Sequence, residues 1–153
     1  MPTTRTPKVL ISDQMSPKAA EIFRARGIEV DEITGLSKDE LIKIIGNYDG
    51  LAIRSSTKVT KEVLAATNLK VVGRAGIGVD NVDIPAASAL GVVVMNTPFG
   101  NSITTAEHAI ALMFALARQL PEADASTQAG KWEKNRFMGV EVTAKTLGLI
   151  GAG

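Results

Sequence analysis

The 153-residue chain contains no cysteine. Disulfides, thiolate metal sites and a cysteine nucleophile are therefore excluded. Aromatic residues are only 4%, too few for a base-stacking surface. Seventeen Lys and Arg face sixteen Asp and Glu, for a net charge of +1. That balance gives no bulk attraction to nucleic acid or an anionic membrane. No apolar run approaches the roughly 20 residues of a membrane helix. The opening Met-Pro-Thr-Thr-Arg-Thr-Pro has no apolar signal core, so a cytoplasmic location is expected. There is one histidine, His108, and no His/Asp/Glu spacing suited to a metal. What remains is ordinary: 45% hydrophobic and 22% charged residues, as in a globular protein. The length suits one domain, or one domain and part of a second.

Short β-branched runs alternate with helical stretches through the first hundred residues. Val9-Leu10-Ile11, Ile28 to Ile33, Gly50 to Ile53, Leu69 to Gly73 and Val92 to Met95 read as strands, the second the weakest. Ser16-Pro17 opens a helix that Gly27 stops. Ser37-Lys-Asp-Glu40 is a capping box, with Leu36 and Leu41 as its hydrophobic staple. Thr60 and Asp83 cap two short helices. Apolar strands separated by helices imply a parallel sheet covered on both faces, an α/β doubly wound domain of five strands.

The pattern changes after Pro98. Thr104-Thr-Ala-Glu107 reads as a second capping box, opening a helix to about Arg118 that is apolar on most faces and so expected to be buried between two bodies. Pro121 starts another helix running to Gly130. Residues 131–145 are polar and irregular, anchored by Trp132 and Phe137. Thr146 to Ile150 then reads as a strand leading into Gly151-Ala-Gly153, the opening of a dinucleotide-binding fingerprint. The expected division is a binding lobe over 1–99, linker helices over 100–145 and the start of a nucleotide-binding domain over 146–153. On this reading the chain is the N-terminal part of a longer protein; the alternative is a complete domain with a glycine tail.

Ligands of open α/β sheets bind beyond the carboxyl ends of the strands. Three loops should meet there: Arg54-Ser-Ser-Thr57, Arg74-Ala-Gly-Ile-Gly-Val-Asp-Asn81 and Asn96 to Ser102. Arg54 and Arg74 end neighbouring strands and offer donor forks suited to carboxylate or phosphate. Gly76 and Gly78 let backbone approach a ligand closely. Asn101 and Ser102 precede a helix start, where free N–H groups favour an anion. Together they describe a site for a small acid with two anionic ends. His108 reads as a local helix partner rather than an acid/base. Lys134 and Arg136 read as solvated, or as reaching a phosphate if their loop folds over a crevice.

The tracts Arg54 to Val59, Val72 to Asp83, Met95 to Ser102, Ala106 to Met113, Gly130 to Glu133, Phe137 to Gly139 and Lys145 to Gly151 closely resemble the D-2-hydroxyacid dehydrogenases. The stretch from Trp132 to Gly139 is similar to their phosphoglycerate branch. The resemblance implies an oxidoreductase that uses NAD to oxidise a small phosphorylated hydroxy acid. It implies a flavodoxin-like substrate domain, linker helices and the first strand of a Rossmann domain. By match, Arg54, Ser55, Arg74, Gly76 and Asn101 would hold the substrate's charged ends. Lys134 and Arg136 would assist them. Ile77 would approach the nicotinamide, and Gly151 and Gly153 would be the first two fingerprint glycines. The family's catalytic Arg, Glu and His have no match here, so the segment alone is expected to be inactive. The family also implies a homo-oligomer built through a later domain, leaving this segment monomeric. Two alternatives stay open: a non-catalytic anion-binding module, and an enzyme for glyoxylate, hydroxypyruvate or formate.

Overall fold

A computed structural model describes residues 5–66 and 69–151. It divides into two compact units between Asn101 and Ser102. In the first unit β1 (Lys8–Ile11), β2 (Glu29–Glu32), β3 (Gly50–Ile53), β4 (Val71–Arg74) and β5 (Val93–Met95) form one sheet. Helices α1 (Lys18–Ala25), α2 (Lys38–Ile45), α3 (Lys61–Ala65) and α4 (Ile84–Ala89) make the crossovers. The strand order is β2-β1-β3-β4-β5 and every pairing is parallel. This is the doubly wound α/β sheet that the alternation of elements implies.

Side chains alternate across a strand, so each register row has one face. Leu10, Leu51, Val72 and Val94 are aligned across four strands. That row meets Leu41 and Ile45 of α2, Val63 and Leu64 of α3 and Ala87 of α4. Burying each large aliphatic contributes about 1.5–3 kcal/mol. The next row, Ile11, Ala52, Gly73 and Met95, faces the other way. Ile11 and Ala52 pack with Val9 against Ala20 and Phe23 of α1, while Met95 is half exposed.

Local signals set most boundaries. Ser37 Oγ accepts from the Glu40 amide, and the Glu40 carboxylate accepts from the Ser37 amide at 2.9 Å. Leu36 packs on the cluster holding Leu41, completing the staple. Asp83 accepts from the Ala86 amide and caps α4. Two expected caps differ. Pro17 is already helical and precedes α1 as its cap residue, one place later than Ser16. Thr60 stands at the cap of α3, but its hydroxyl donates to the Glu62 carboxylate instead of accepting a helix amide.

The second unit holds α5 (Ser102–Ala117), α6 (Leu120–Gln128) and a 3-10 turn over Lys134–Phe137. Helix α5 begins at Ser102, so Thr104 to Glu107 lie inside it rather than forming its capping box. No residue of α5 is buried, against the expectation of a helix buried between two bodies. Gln119 takes a left-handed φ of 52° and separates α5 from α6. At Gly139, φ is +61° and an added Cβ would stand 2.4 Å from the Ala117 carbonyl oxygen. Only glycine permits that approach, which lets the Val140 amide bond the same oxygen at 2.8 Å. Residues 146–150 form no strand. A strand needs a ladder partner for its N–H and C=O groups, and none among the described residues pairs with this run; Leu147, Leu149 and Ile150 are exposed. No helix among the described residues is long and apolar enough to cross a membrane.

Candidate functional site

The carboxyl ends of β1, β3, β4 and β5 carry the loops at Ser12–Gln14, 54–58, 75–83 and 96–101. They are tied into one rim. The Ala75 amide donates to the Ile53 carbonyl, the Val59 amide to Asn81 and the Asp83 amide to Val59 around the Val59–Val82 bridge, and the Thr97 amide donates to Gly76 at 2.9 Å. Asn96 Nδ2 donates to the Ile77 carbonyl at 2.7 Å.

Asp13 holds the Arg54 loop from beneath. Its carboxylate accepts from the amides of Arg54 at 2.7 Å, Ser56 at 3.2 Å and Thr57 at 3.1 Å, and from the Thr57 hydroxyl at 2.6 Å. Ser12 Oγ meets the same hydroxyl at 2.8 Å. Burial opposes the Asp13 charge, yet the Thr57 hydroxyl and the three amides outweigh it and hold the carboxyl below its ordinary value of 3.8. Asn81 holds the loop from the other side. Its Nδ2 donates to the carbonyls of Arg54 at 2.8 Å and Thr57 at 2.6 Å, and its Oδ1 is buried without a partner among the described residues.

The two arginines engage different partners. Arg74 is paired in register with Ile53, so Arg54 stands one residue farther along its strand. The Arg74 side chain is 11% exposed. Its Nε donates to the Arg54 carbonyl at 3.3 Å, one Nη to the Gly78 carbonyl, and the other meets Asp80 at 3.5 Å. Gly76 and Gly78 make room for this. Neither has a left-handed φ, but a Cβ on Gly76 would stand 3.1 Å from the Arg74 guanidinium and one on Gly78 3.2 Å from it. The glycines therefore accommodate the protein's own cation. Arg54 is exposed, with Nη1 donating to the Gln14 carbonyl at 3.2 Å. The expectation that both guanidinium groups open onto one crevice does not hold in this arrangement, since Arg74 folds back into its own loop.

Ser55 lines a cleft of about 450 Å³ with Lys58, Thr60, Asp80 and Asn81. Ile77 is exposed on the β4 loop. Asn101 is exposed at the end of the first unit. Lys134 and Arg136 belong to the second unit; Lys134 is exposed, and Arg136 bonds Glu133 at 3.1 Å and lies over the Phe137 ring. Ser126 donates to the same Glu133 carboxylate and, with the Arg136 charge, holds it below its ordinary value. Gly151 is exposed with φ +87°; Gly153 lies outside the described residues. His108 is exposed on α5.

Sequence reasoning gave Asp13, Asn81 and Asn96 no part in the anion site. A carboxylate at the end of β1, facing a loop whose amides have no ladder partners, is the signal that could have found Asp13.

Known proteins resemble this chain closely. It is 53% identical over 147 residues to a D-3-phosphoglycerate dehydrogenase of Archaeoglobus fulgidus, covering 95% of this chain and 28% of that protein. The human protein of the same name is 52% identical over the same shares. Among solved structures, a Thermus thermophilus protein superposes with a TM-score of 0.79 at 32% identity, over 88% of this chain and 45% of that one. The NAD-bound 3-phosphoglycerate dehydrogenase of Entamoeba histolytica superposes with a TM-score of 0.66 at 33% identity, over 74% and 40%. The chain thus spans little more than a quarter of the curated relatives' length. Its residues 9–148 match the D-isomer specific 2-hydroxyacid dehydrogenase catalytic domain, and the chain belongs to that family.

Proposed function

We propose that this chain is the substrate-binding segment of an NAD-dependent D-3-phosphoglycerate dehydrogenase, which oxidises 3-phosphoglycerate to 3-phosphohydroxypyruvate and so feeds serine biosynthesis. The observation that carries the reading is the identity of about half with enzymes of that name across nearly the whole chain. The family match also spans all three rim loops. Arg54, exposed at the rim, meets one anionic end of the acid. Ser55 offers its hydroxyl and its amide, the one amide of residues 54–57 that Asp13 does not take. Arg74 adds a fixed positive charge beneath them, and Gly76 and Asn101 complete the rim. The resemblance also gives Lys134 and Arg136 a part in holding the phosphate.

The residues present fit part of NAD. Ile77 offers an exposed apolar face for a nicotinamide edge, with its carbonyl fixed by Asn96. Gly151 has the left-handed turn that a fingerprint glycine supplies. When bound, NAD supplies the acceptor for the hydride leaving the substrate's C2. This chain's own residues bind and orient the acid; the acid/base pair and the arginine that aligns the carboxylate lie outside these 153 residues. Hydride transfer requires the two reactants in near-attack geometry, so the segment alone binds without turnover.

The test is steady-state NAD reduction by the full-length protein and by this segment, with 3-phosphoglycerate, glycerate and glycolate. Turnover is expected only from the full-length protein, with the phosphorylated acid preferred. Replacing Lys134 and Arg136 by Ala should raise KM for 3-phosphoglycerate by roughly tenfold, as expected for a lost charge-assisted contact, and leave KM for glycerate unchanged. A preference for glycolate, or an unchanged KM for the phosphorylated acid, removes the phosphoglycerate assignment.

A further inference from the structure

Residues 54–57 present a problem that the rim solves in an unusual way. A loop of four residues that must offer an exposed guanidinium and a free amide has three other amides and several carbonyls to satisfy. Asp13 takes the amides of Arg54, Ser56 and Thr57. Asn81 takes the carbonyls of Arg54 and Thr57. The loop is therefore held from both sides, by an acceptor on β1's end and a donor on β4's loop. Both clamps come from neighbouring strands, so the grip fixes the loop relative to the sheet itself.

Two features argue against a purely structural purpose. Asn81 points both amide hydrogens at the loop and leaves its Oδ1 buried without a partner among the described residues, an arrangement unfavourable for stability alone. Asp13 is an ionised carboxylate only 5% exposed, placed directly behind a loop read as an anion receptor. A lone negative charge there would repel an acid. Four donated hydrogen bonds stabilise that charge while orienting the amides, leaving Ser55 as the one amide of the loop that Asp13 does not take.

We propose that Asp13 and Asn81 are positioning residues for the acid: they set the Arg54–Ser55 segment in the geometry that receives one anionic end of the substrate. The inference rests on the phosphoglycerate reading above and adds to it two residues that touch no substrate. Asp13→Asn turns a donor group toward amide donors and breaks the lower clamp. Asn81→Ala removes the upper one. Thr57→Val removes the hydroxyl bond alone, and Thr57→Ser keeps it.

The experiment is substrate and cofactor kinetics on the full-length protein, with each variant made in the wild-type and in an Arg54→Ala/Ser55→Ala background. In the wild-type background Asp13→Asn and Asn81→Ala should each raise KM for 3-phosphoglycerate roughly tenfold or more, the scale of a slightly misplaced binding group. KM for NAD should stay unchanged. Thr57→Val should show a smaller rise and Thr57→Ser none. In the double-alanine background the same substitutions should cost clearly less than in the wild-type background, because the side chains they position are gone and only the backbone amide at position 55 remains. Equal losses in both backgrounds, or KM for NAD rising in step, would mean general loosening and overturn the proposal. Should Asp13→Asn fail to fold, Asn81→Ala and the Thr57 pair decide the question alone. Absence of wild-type turnover with 3-phosphoglycerate overturns the function reading and this inference together; turnover with unaltered KM in the clamp variants overturns only the clamp.

Discussion

Tyr48 stands just before β3, buried, and its hydroxyl donates to Asp31 of β2 at 2.7 Å. Lys8 of β1 meets the same carboxylate at 2.7 Å and lies over the Tyr48 ring. One phenol thereby links the edge strand to the sheet interior. Burial, then the hydrogen bond to Asp31, pushes the Tyr48 hydroxyl up to about 12 from an ordinary 10.0. A group whose pKa is raised by folding stabilises the fold fully below its unfolded value and loses that stabilisation as pH climbs through the folded one. The window is thus pH 10 to about 12. Tyr48→Phe should be about 1 kcal/mol less stable than wild type at pH 8, the net worth of one hydrogen bond. In urea denaturation that difference should shrink by about pH 11, inside the linkage window; a constant difference would show that the phenol's proton is not coupled to folding. At the site, chemistry of this kind was legible only where residue type and strand end coincided. Arg54 and Ser55 were singled out that way. The internal use of Arg74 was not, because nothing in Arg-Ala-Gly-Ile-Gly distinguishes glycines that admit a ligand from glycines that admit a guanidinium.

Helix α2 carries the fullest set of local signals, and its start can be weighed against that of α3. Ser37 caps α2 reciprocally with Glu40, whereas Thr60 stands at the start of α3 with its hydroxyl on Glu62. Ser37→Ala should therefore lower unfolding free energy by about 1 kcal/mol, and Thr60→Ala by less than half as much. Equal shifts in the denaturant midpoint would refute the distinction. The same contrast explains what the sequence could disclose about elements. Caps, staples and β-branched runs act within a few residues, so β1, β3, β4, β5 and the helices between them were readable, and β2 more weakly. The polar β2, Glu-Val-Asp-Glu, is a strand because β1 pairs with it and Arg24 reaches Glu32. Residues 146–150 have the composition of a strand and lack the pairing. Strand formation depends on a neighbour, and no local pattern reports whether one is there.

Every residue of the two buried clusters comes from the first unit, between Val9 and Val92. The second unit contributes exposed apolar side chains instead, among them Ile103, Leu116, Trp132 and Leu149. Stability follows the closed core, since burial of apolar area supplies most of the driving force. A chain ending at Asn101 should therefore unfold in one transition, with a midpoint within about 5 °C of the 153-residue chain, a shift worth about 1 kcal/mol for a domain of this size. It should also bind less of an apolar-surface dye per molecule, because α5 and the residues after it are gone. Sedimentation of the longer chain should show concentration-dependent association that the shorter chain lacks, as large exposed apolar patches favour. The resemblance implied a monomeric segment; self-association through residues 102–151 is the outcome that exposure favours instead. Thermal melts and sedimentation of the two chains decide both points. A shorter chain that melts far earlier would place part of the folding free energy in the second unit, and a longer chain that stays monomeric at high concentration would leave its apolar helices without the role argued for them.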